Sequence, residues 1–301
     1  MTGGARGRPK VGVGVPVFNG ERYLSETLDA LLAQTYEDFV ILIGDNASTD
    51  RSFEIAQDYA SRDRRVVVIR RERNIGANEN YSDLFRRAGT EYFRWHAADD
   101  LSLPEYTRLA VEVLDQQPEV VLAYCKTINI DGAGLETACY EDRMHVVQDR
   151  ASERLRWVLK QLDRCNCLYG LARSATMART GLIRPFVSSD KVFLGEMALY
   201  GKLVEIPDRL FRRRFYEAAS SAMTASARQV FVYGARKSRR AELEHWQHIA
   251  AYYWGVTKAP VPMAERLALY REVTKQFRDW RPVMLEEARA ALAHITGPGR
   301  G

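Results

Sequence analysis

The sequence predicts an α/β protein with a mostly parallel central sheet and a helical C-terminal extension. Three observations predict it. Short β-branched runs alternate with amphipathic helical patterns through the first 130 residues. The connections between them are short, as right-handed strand–helix–strand units require. Beyond Ser226 the pattern becomes helical, aromatic and basic. The 301 residues are 46% hydrophobic and 28% charged, which supports a real core and argues against a disordered or collagen-like chain. No apolar run approaches the length of a spanning helix.

The strands fall at Val11–Val17, Phe39–Gly44, Val66–Arg70, Tyr92–His96 and Val120–Tyr124, each bounded by turn-forming residues. Leu24, Leu28, Leu31 and Leu32 mark the first helix, and Tyr106, Leu109, Ala110, Val113 and Leu114 the fourth. Ser102 and Glu105 read as a capping box for that fourth helix, with Pro104 inside its start and Pro118 beyond its end. After a strand-like run to Ile130 come the turn Asp131-Gly132-Ala133-Gly134 and an irregular acidic stretch. Leu155, Val158, Leu159 and Leu162 mark a helix, Cys167–Leu171 a short strand, and Asp190–Tyr200 a helix stopped at Gly201. Strands are expected on either side of Pro207.

The +5 net charge is local. The window 209–240 holds nine basic residues and one acid, Glu217, so it carries +8 and the rest of the chain is mildly acidic. That points to one anionic partner and away from general nucleic-acid binding. Cys125, Cys139, Cys165 and Cys167 lack metal-ligand spacing and read as reduced and structural, with Cys165 and Cys167 alternating like strand neighbours. The first nine residues read as a disordered leader without an apolar secretion segment, so a cytoplasmic protein is expected.

No dinucleotide-binding, P-loop, nucleophile-elbow or zinc-protease motif is present. What remains is polar clusters at the carboxyl ends of successive strands, where open parallel sheets bind ligands. They are Pro16-Val17-Phe18-Asn19-Gly20-Glu21, Gly44-Asp45-Asn46-Ala47-Ser48-Thr49-Asp50, Arg73-Asn74-Ile75-Gly76-Ala77-Asn78, and His96-Ala97-Ala98-Asp99-Asp100. In isolation, Asn19, Ser48 or Thr49, and Asn78 read as helix caps, and Asp45-Asn46 as a turn. Asp99-Asp100 reads differently. Adjacent carboxylates after an aromatic strand repel unless a cation or donors offset them, and hard divalent metals bridging carboxylate and phosphate suit that role.

The run PVFNGERYLSETLDALLAQTYEDFVILIGDNASTDRS, then RNIGAN, then WHAADD with Pro104 close behind, resembles glycosyltransferase family 2. The resemblance is dense over about residues 10–130 and looser to about 220. It implies a GT-A fold, a nucleotide-sugar donor, an acceptor hydroxyl and Mg²⁺ or Mn²⁺. It implies a nucleotide pocket lined by Pro16, Phe18 and Glu21, a base edge read by Asp45, and a border formed by Arg73, Asn74 and Gly76. Ala98 would also face the donor, and Asp99 would hold the metal with Asp100 beside it. Two positions depart from the family pattern: Ala97-Ala98-Asp99 stands where D-x-D is usual, and Tyr216 stands where a His is common. The matching organisation is a catalytic domain over 10–225, with nucleotide-sugar-binding (10–125) and acceptor-binding (126–225) halves. A helical extension (226–296) and a tail (297–301) follow.

The acidic motif of the second half is matched by Ser188-Ser189-Asp190-Lys191, which makes Asp190 the expected base, with Glu196 as fallback on the acceptor side. Tyr169 and Gly170 resemble the segment that approaches the acceptor. Strand alternation puts Arg212 and Arg214 on one face, toward the diphosphate, and Arg213 on the other. For 228–254, including Arg236 to Arg240 and Trp246, two readings stay open: helices packed on the catalytic domain, or peripheral contact with the inner membrane face. His245 and His248 share a face without a third metal ligand. The expected activity is metal-assisted, inverting transfer from a UDP- or dTDP-sugar in glycan, cell-envelope or natural-product biosynthesis. The alternatives are a non-catalytic nucleotide-sugar-binding relative and a sugar-1-phosphate nucleotidyltransferase, whose basic Gly-rich loop is missing after strand one.

Overall fold

The computed structural model describes residues 8–217, 224, 228, 231–234 and 243–296. Most of the leader, the tail from 297, and the basic cluster Arg236, Lys237, Arg239 and Arg240 lie outside the described residues. The first half follows the predicted alternation: β1 (Val11–Val17), α1 (Leu24–Leu32), β2 (Phe39–Asp45), α2 (Ser52–Arg62), β3 (Val66–Arg70), α3 (Ala77–Ala88) and β4 (Tyr92–Trp95). Strands β3, β2, β1 and β4 are parallel neighbours, with Val11 opposite both Phe39 and Tyr92. Apolar side chains on both faces of β2, and Gly12 and Gly14 of β1 letting Leu84 and Phe93 close in on its second face, demand cover from both sides. On one face α1, α2 and α4 (Tyr106–Gln116) bury Leu24, Leu28, Ala56, Ala110 and Leu114. On the other lie α3, α5 (Ala151–Gln161), α6 (Ser174–Met177) and α7 (Ser189–Tyr200), with Leu84, Val158, Met177, Phe193 and Met197.

The second half turns the sheet from parallel to mixed. Strand β8 (Leu171–Arg173) runs antiparallel to both β4 and β6 (Val120–Ile130). Strand β9 (Lys202–Arg214) is parallel to β6, while β7 (Glu136–Tyr140), in the stretch expected to be irregular, is antiparallel to it. Three local expectations are corrected. Cys167–Leu171 is not a strand: Asn166–Tyr169 form a 3₁₀ turn, so Cys165 and Cys167 do not alternate on a sheet. Pro207 does not divide two strands. The register jumps from Cys125 opposite Ile206 to Thr127 opposite Phe211, so the proline sits in a bulge of one long strand, where its missing N–H costs no ladder bond. Ser102 is no cap, because it belongs to a two-residue strand, β5 (Leu101–Ser102), paired with β9.

Helices α8 (Glu244–Lys258) and α9 (Met263–Thr296) form a further layer over α5 and α7. Helix α7 is therefore sandwiched between the sheet and this layer, which explains a segment apolar all round, buried from Val192 to Leu199. His245 and His248 take part in that packing. His245 bonds Glu287 at 2.6 Å, and the ring of His248 bonds the Val187 carbonyl at 2.9 Å. No described helix is long and apolar enough to cross a membrane.

Candidate active site

A cleft of about 650 Å³ opens at the carboxyl ends of β1, β2 and β4. Its first wall is the loop after β1, with Pro16, Phe18 and Glu21 on the lining. This loop is laced to the loop after β2: Ser48 Oγ accepts the Asn19 amide at 3.0 Å, Ser52 Oγ accepts that of Gly20 at 2.8 Å, and Asn19 Oδ1 accepts that of Thr49 at 2.9 Å. The polar residues that read singly as caps thus tie two loops together. Asn78 does likewise in the second half, donating to the carbonyls of Arg184 (2.7 Å) and Phe186 (2.9 Å).

Asn46 and Asn74 make the next wall, joined by a 2.9 Å side-chain bond, and the Gly76 amide donates to Asn74 Oδ1. Gly76 has φ +85°, and a Cβ there would lie 2.3 Å from the Val232 carbonyl, so glycine is required for the approach of 231–234. Phe231 of that segment reaches the cleft. Asp45 does not. It is fully buried, with Oδ1 taking the Ser48 amide and Oδ2 lacking a hydrogen bond, and Asn46 is the lining residue in its place. Arg73 is exposed and off the lining.

Ala97, Ala98, Asp99 and Asp100 form the floor. Burial raises both carboxyl pKa values, and repulsion from Asp99 raises that of Asp100 further. Tyr216 donates to Asp99 Oδ2 at 3.1 Å and the Arg214 amide donates to Asp100 Oδ1 at 2.8 Å. The second contact follows from the β5–β9 ladder, which pairs Leu101 with Arg212 and so carries the end of β9 to the carboxylates. Beneath the floor His96 is fully buried and neutral, its pKa pushed down to about 3 by burial. It donates from Nδ1 to the Ala97 carbonyl at 2.7 Å, while Nε2 lies 3.1 Å from Ser102 Oγ, which also accepts from Arg94. Two carboxylates held unfavourably close to ionisation suit a hard cation that completes its shell with phosphate oxygens and water. Among the described residues no group of three or more His, Cys, Asp or Glu is placed to hold a metal unaided.

The arginines are distributed differently from the alternation argument. Arg212 pairs with Glu136 at 2.7 Å, away from the cleft. Arg214 lines the cleft but is engaged by Glu26 at 2.7 Å and by the Asp99 carbonyl at 2.9 Å. Arg213, expected on the opposite face, enters the cleft and donates to Asn166 Oδ1. The strand ends at the cleft, so side chains from both of its faces meet the same cavity.

Of the residues expected near the acceptor, Tyr169 lines the cleft and two others do not. Gly170 is buried, and a Cβ there would lie 2.8 Å from Leu122 and 2.9 Å from the Ala123 carbonyl, so it serves packing. Glu196 is 1% exposed and locked to Arg184 at 2.6 Å and to the Gly181 amide at 2.9 Å, so it is no fallback base. Asp190, half-buried in the first turn of α7, accepts the Lys191 amide at 3.0 Å and does not line the cleft itself. The cleft also takes in Arg22, Tyr23, Asn80 and Tyr81, which no sequence pattern singles out.

Similar proteins agree with this architecture. The family model described as "Glycosyl transferase family 2" matches residues 12–165. A curated relative from Methanocaldococcus jannaschii, described as an uncharacterized glycosyltransferase, is 28% identical over 44% of this chain and 46% of its own length. The chain spans between about a third and a half of the length of the first curated relatives it matches. Two solved structures share the fold. TarS 1–349 of S. aureus, in complex with UDP-GlcNAc, has a TM-score of 0.67 at 15% identity, covering 94% of this chain and 81% of that one. The mannosyltransferase PcManGT of Pyrobaculum calidifontis, in complex with GDP-Man and Mn²⁺, has a TM-score of 0.56 at 18% identity, covering 98% and 77%. With the family model covering half of its length, on the segment that builds the cleft's first two walls and its carboxylate floor, the chain belongs to glycosyltransferase family 2.

Proposed function

We propose that the protein transfers a sugar, with inversion, from a nucleotide-diphosphate donor to an acceptor hydroxyl. The observation that carries this reading is the meeting of Asp99, Asp100 and Arg213 on the lining of one cleft. The nucleoside lies along Pro16, Phe18, Asn46 and Asn74, while the sealed Asp45, whose Oδ2 faces Arg70 at 3.7 Å, supports the loop behind them. Arg213 meets the diphosphate, since Arg212 and Arg214 are paired elsewhere. Asp99, with Asp100 beside it, would hold Mg²⁺ or Mn²⁺, which when bound supplies neutralisation of the diphosphate charge. Asp190 takes the proton of the acceptor hydroxyl as its oxygen bonds the anomeric carbon. The bond from that carbon to the diphosphate oxygen breaks, and its electron pair leaves with the diphosphate.

A UDP- or dTDP-sugar is the favoured donor, and the TarS complex with UDP-GlcNAc supports the uridine choice. The product belongs to glycan, cell-envelope or natural-product assembly. The test compares wild type, Asp99→Ala and Asp190→Asn for nucleotide-sugar turnover with Mn²⁺ and with chelator. Asp190→Asn is expected to lose about 100-fold or more in turnover while still binding nucleoside diphosphate. Asp99→Ala is expected to lose the Mn²⁺-dependent part of binding. Unchanged turnover in both variants would overturn the assignment.

A second reading, nucleotide-sugar binding without transfer, is favoured by one observation. The missing carboxylate at Ala97 and the Tyr216–Asp99 bond leave no three-residue metal cluster among the described residues. Calorimetry with UDP, dTDP and GDP that finds tight binding in a protein without turnover selects it.

A further inference from the structure

Behind the cleft, three polar side chains from separate elements lead up to Arg213. Thr127 belongs to β6, Asp142 follows β7, and Asn166 opens the 3₁₀ turn before β8. All three are buried, so each depends on the protein for its hydrogen bonds. Thr127 Oγ1 donates to Asp142 Oδ2 at 3.2 Å, and Asn166 Nδ2 donates to the same oxygen at 3.4 Å. The other end of the Asn166 amide, Oδ1, accepts from Arg213 Nη1. The guanidinium also lies over the Phe215 ring, 5.5 Å from its centroid. Of these four polar residues only Arg213 is on the cleft lining.

The order of these groups leaves the Asn166 amide one orientation. An ionised carboxylate only accepts hydrogen bonds and a guanidinium only donates them. Asn166 stands between one of each, so its NH₂ faces Asp142 and its oxygen faces Arg213. The flipped amide would set oxygen against carboxylate and N–H against N–H. For the fold itself Asp142 is a poor choice, since it is buried and its Oδ1 has no hydrogen bond. Orienting Asn166 is a use for it. Arg213 commits one N–H to Asn166 and makes no other hydrogen bond to a described residue, so the rest of its N–H groups face a ligand. A long side chain held in place beforehand need not be ordered when the ligand arrives, which is how preorganisation gains affinity.

Resting on the reading that Arg213 meets the donor's diphosphate, we propose that Asn166, oriented by Asp142, is a positioning residue that holds the Arg213 guanidinium in place for that diphosphate. The test is a double-mutant cycle on the full chain, read by titration calorimetry with UDP, dTDP and GDP in the presence of Mn²⁺. It is run at pH 8, above the value of about 7 to which burial pushes Asp142. Wild type is compared with Asn166→Ala, Arg213→Ala and the double variant, and thermal melting verifies that each is folded. Asn166→Ala is expected to weaken binding of the preferred diphosphate about fivefold, the cost of ordering one long side chain. The same change is expected to have no effect once Arg213 is replaced. Asp142→Asn runs a parallel cycle and carries the test where Asn166→Ala does not fold. Its amide can turn either end to Asn166, so affinity is expected to fall about threefold. Its melting temperature is expected to hold or rise, because a buried charge is removed. A merely structural role for Asp142 would leave affinity unchanged as stability rises. Unchanged affinity in folded Asn166→Ala or in Asp142→Asn overturns the inference, as does an equal loss with and without Arg213, the mark of general damage to the cleft. Arg213→Ala that binds like wild type, or a wild type that binds none of the three diphosphates, overturns the diphosphate reading itself, and this inference with it.

Discussion

Arg212 and Arg213 are chemical twins one residue apart, and their surroundings give them opposite consequences. Arg212 belongs to a partly exposed pair with Glu136, the kind that contributes about 0–1 kcal/mol. Arg213 forms no ion pair with a described carboxylate and faces the cleft. Arg213→Ala is therefore expected to weaken nucleoside-diphosphate binding about tenfold or more, in line with a charge-assisted bond, while Arg212→Ala leaves it nearly unchanged. Titration calorimetry of both variants checks this, and the reverse order would return the diphosphate to Arg212. Neighbouring residues show the same limit of local reading. Asp45 and Asn46 are adjacent polar residues at one strand end, yet the first is sealed and the second lines the cleft.

At the scale of elements, α7 has two jobs along one length. Its first turn carries the half-buried Asp190, the proposed base, while its body is core, with Glu196 buried against Arg184 and with Gly255 of α8 close behind. Removing one partner of a buried pair strands the other, at about 3–5 kcal/mol. Glu196→Ala is thus expected to lower the melting temperature markedly, while the protein folded at low temperature binds nucleoside diphosphate like wild type. Loss of binding without loss of stability would restore Glu196 to the site. The β5–β9 ladder is the other decisive element. Two residues of strand, Leu101 and Ser102, carry the register that joins Asp100 to Arg214, and a capping-box pattern concealed them. Short strands leave almost no periodicity to read, so their partners must identify them.

For the whole molecule, the second half wedges a buried carboxyl, Asp142, between Thr127 and Asn166, and burial pushes its pKa up to about 7. An acid raised in the folded state binds its proton more tightly there than when unfolded. The folded state is therefore favoured most below the unfolded value near 4, and stability falls as pH rises toward 7. The cost at pH 8 is on the order of 4 kcal/mol. Asp142→Asn removes the titration, so its melting temperature relative to wild type is expected to climb between pH 5 and pH 8. A constant difference across that range would show that this carboxyl does not control the slope. Helices α8 and α9 complete the molecule by covering α5 and α7, which agrees with the packing alternative for the aromatic stretch after 243. The Arg236–Arg240 cluster lies outside the described residues.

By itself the sequence determined the order of strands and helices through β4, the strand ends that supply the first walls, and the carboxylate floor at Asp99-Asp100. These are written locally, in hydrophobic period and in turn residues that interrupt it. The resemblance carried by Pro16–Ser52, Arg73–Asn78 and Trp95–Asp100 rests on the same local order. Tertiary structure alone decided which arginine faces the cleft without a described ion-pair partner, that Glu196 and Gly170 belong to the core, and that β7 and β8 make the sheet mixed. Most of those outcomes join residues dozens of positions apart, through strand register and helix packing, and even Arg184 and Glu196, twelve positions apart, meet only because the chain turns before α7. Hydrophobic period does not link such partners, so only the folded chain brings them into contact.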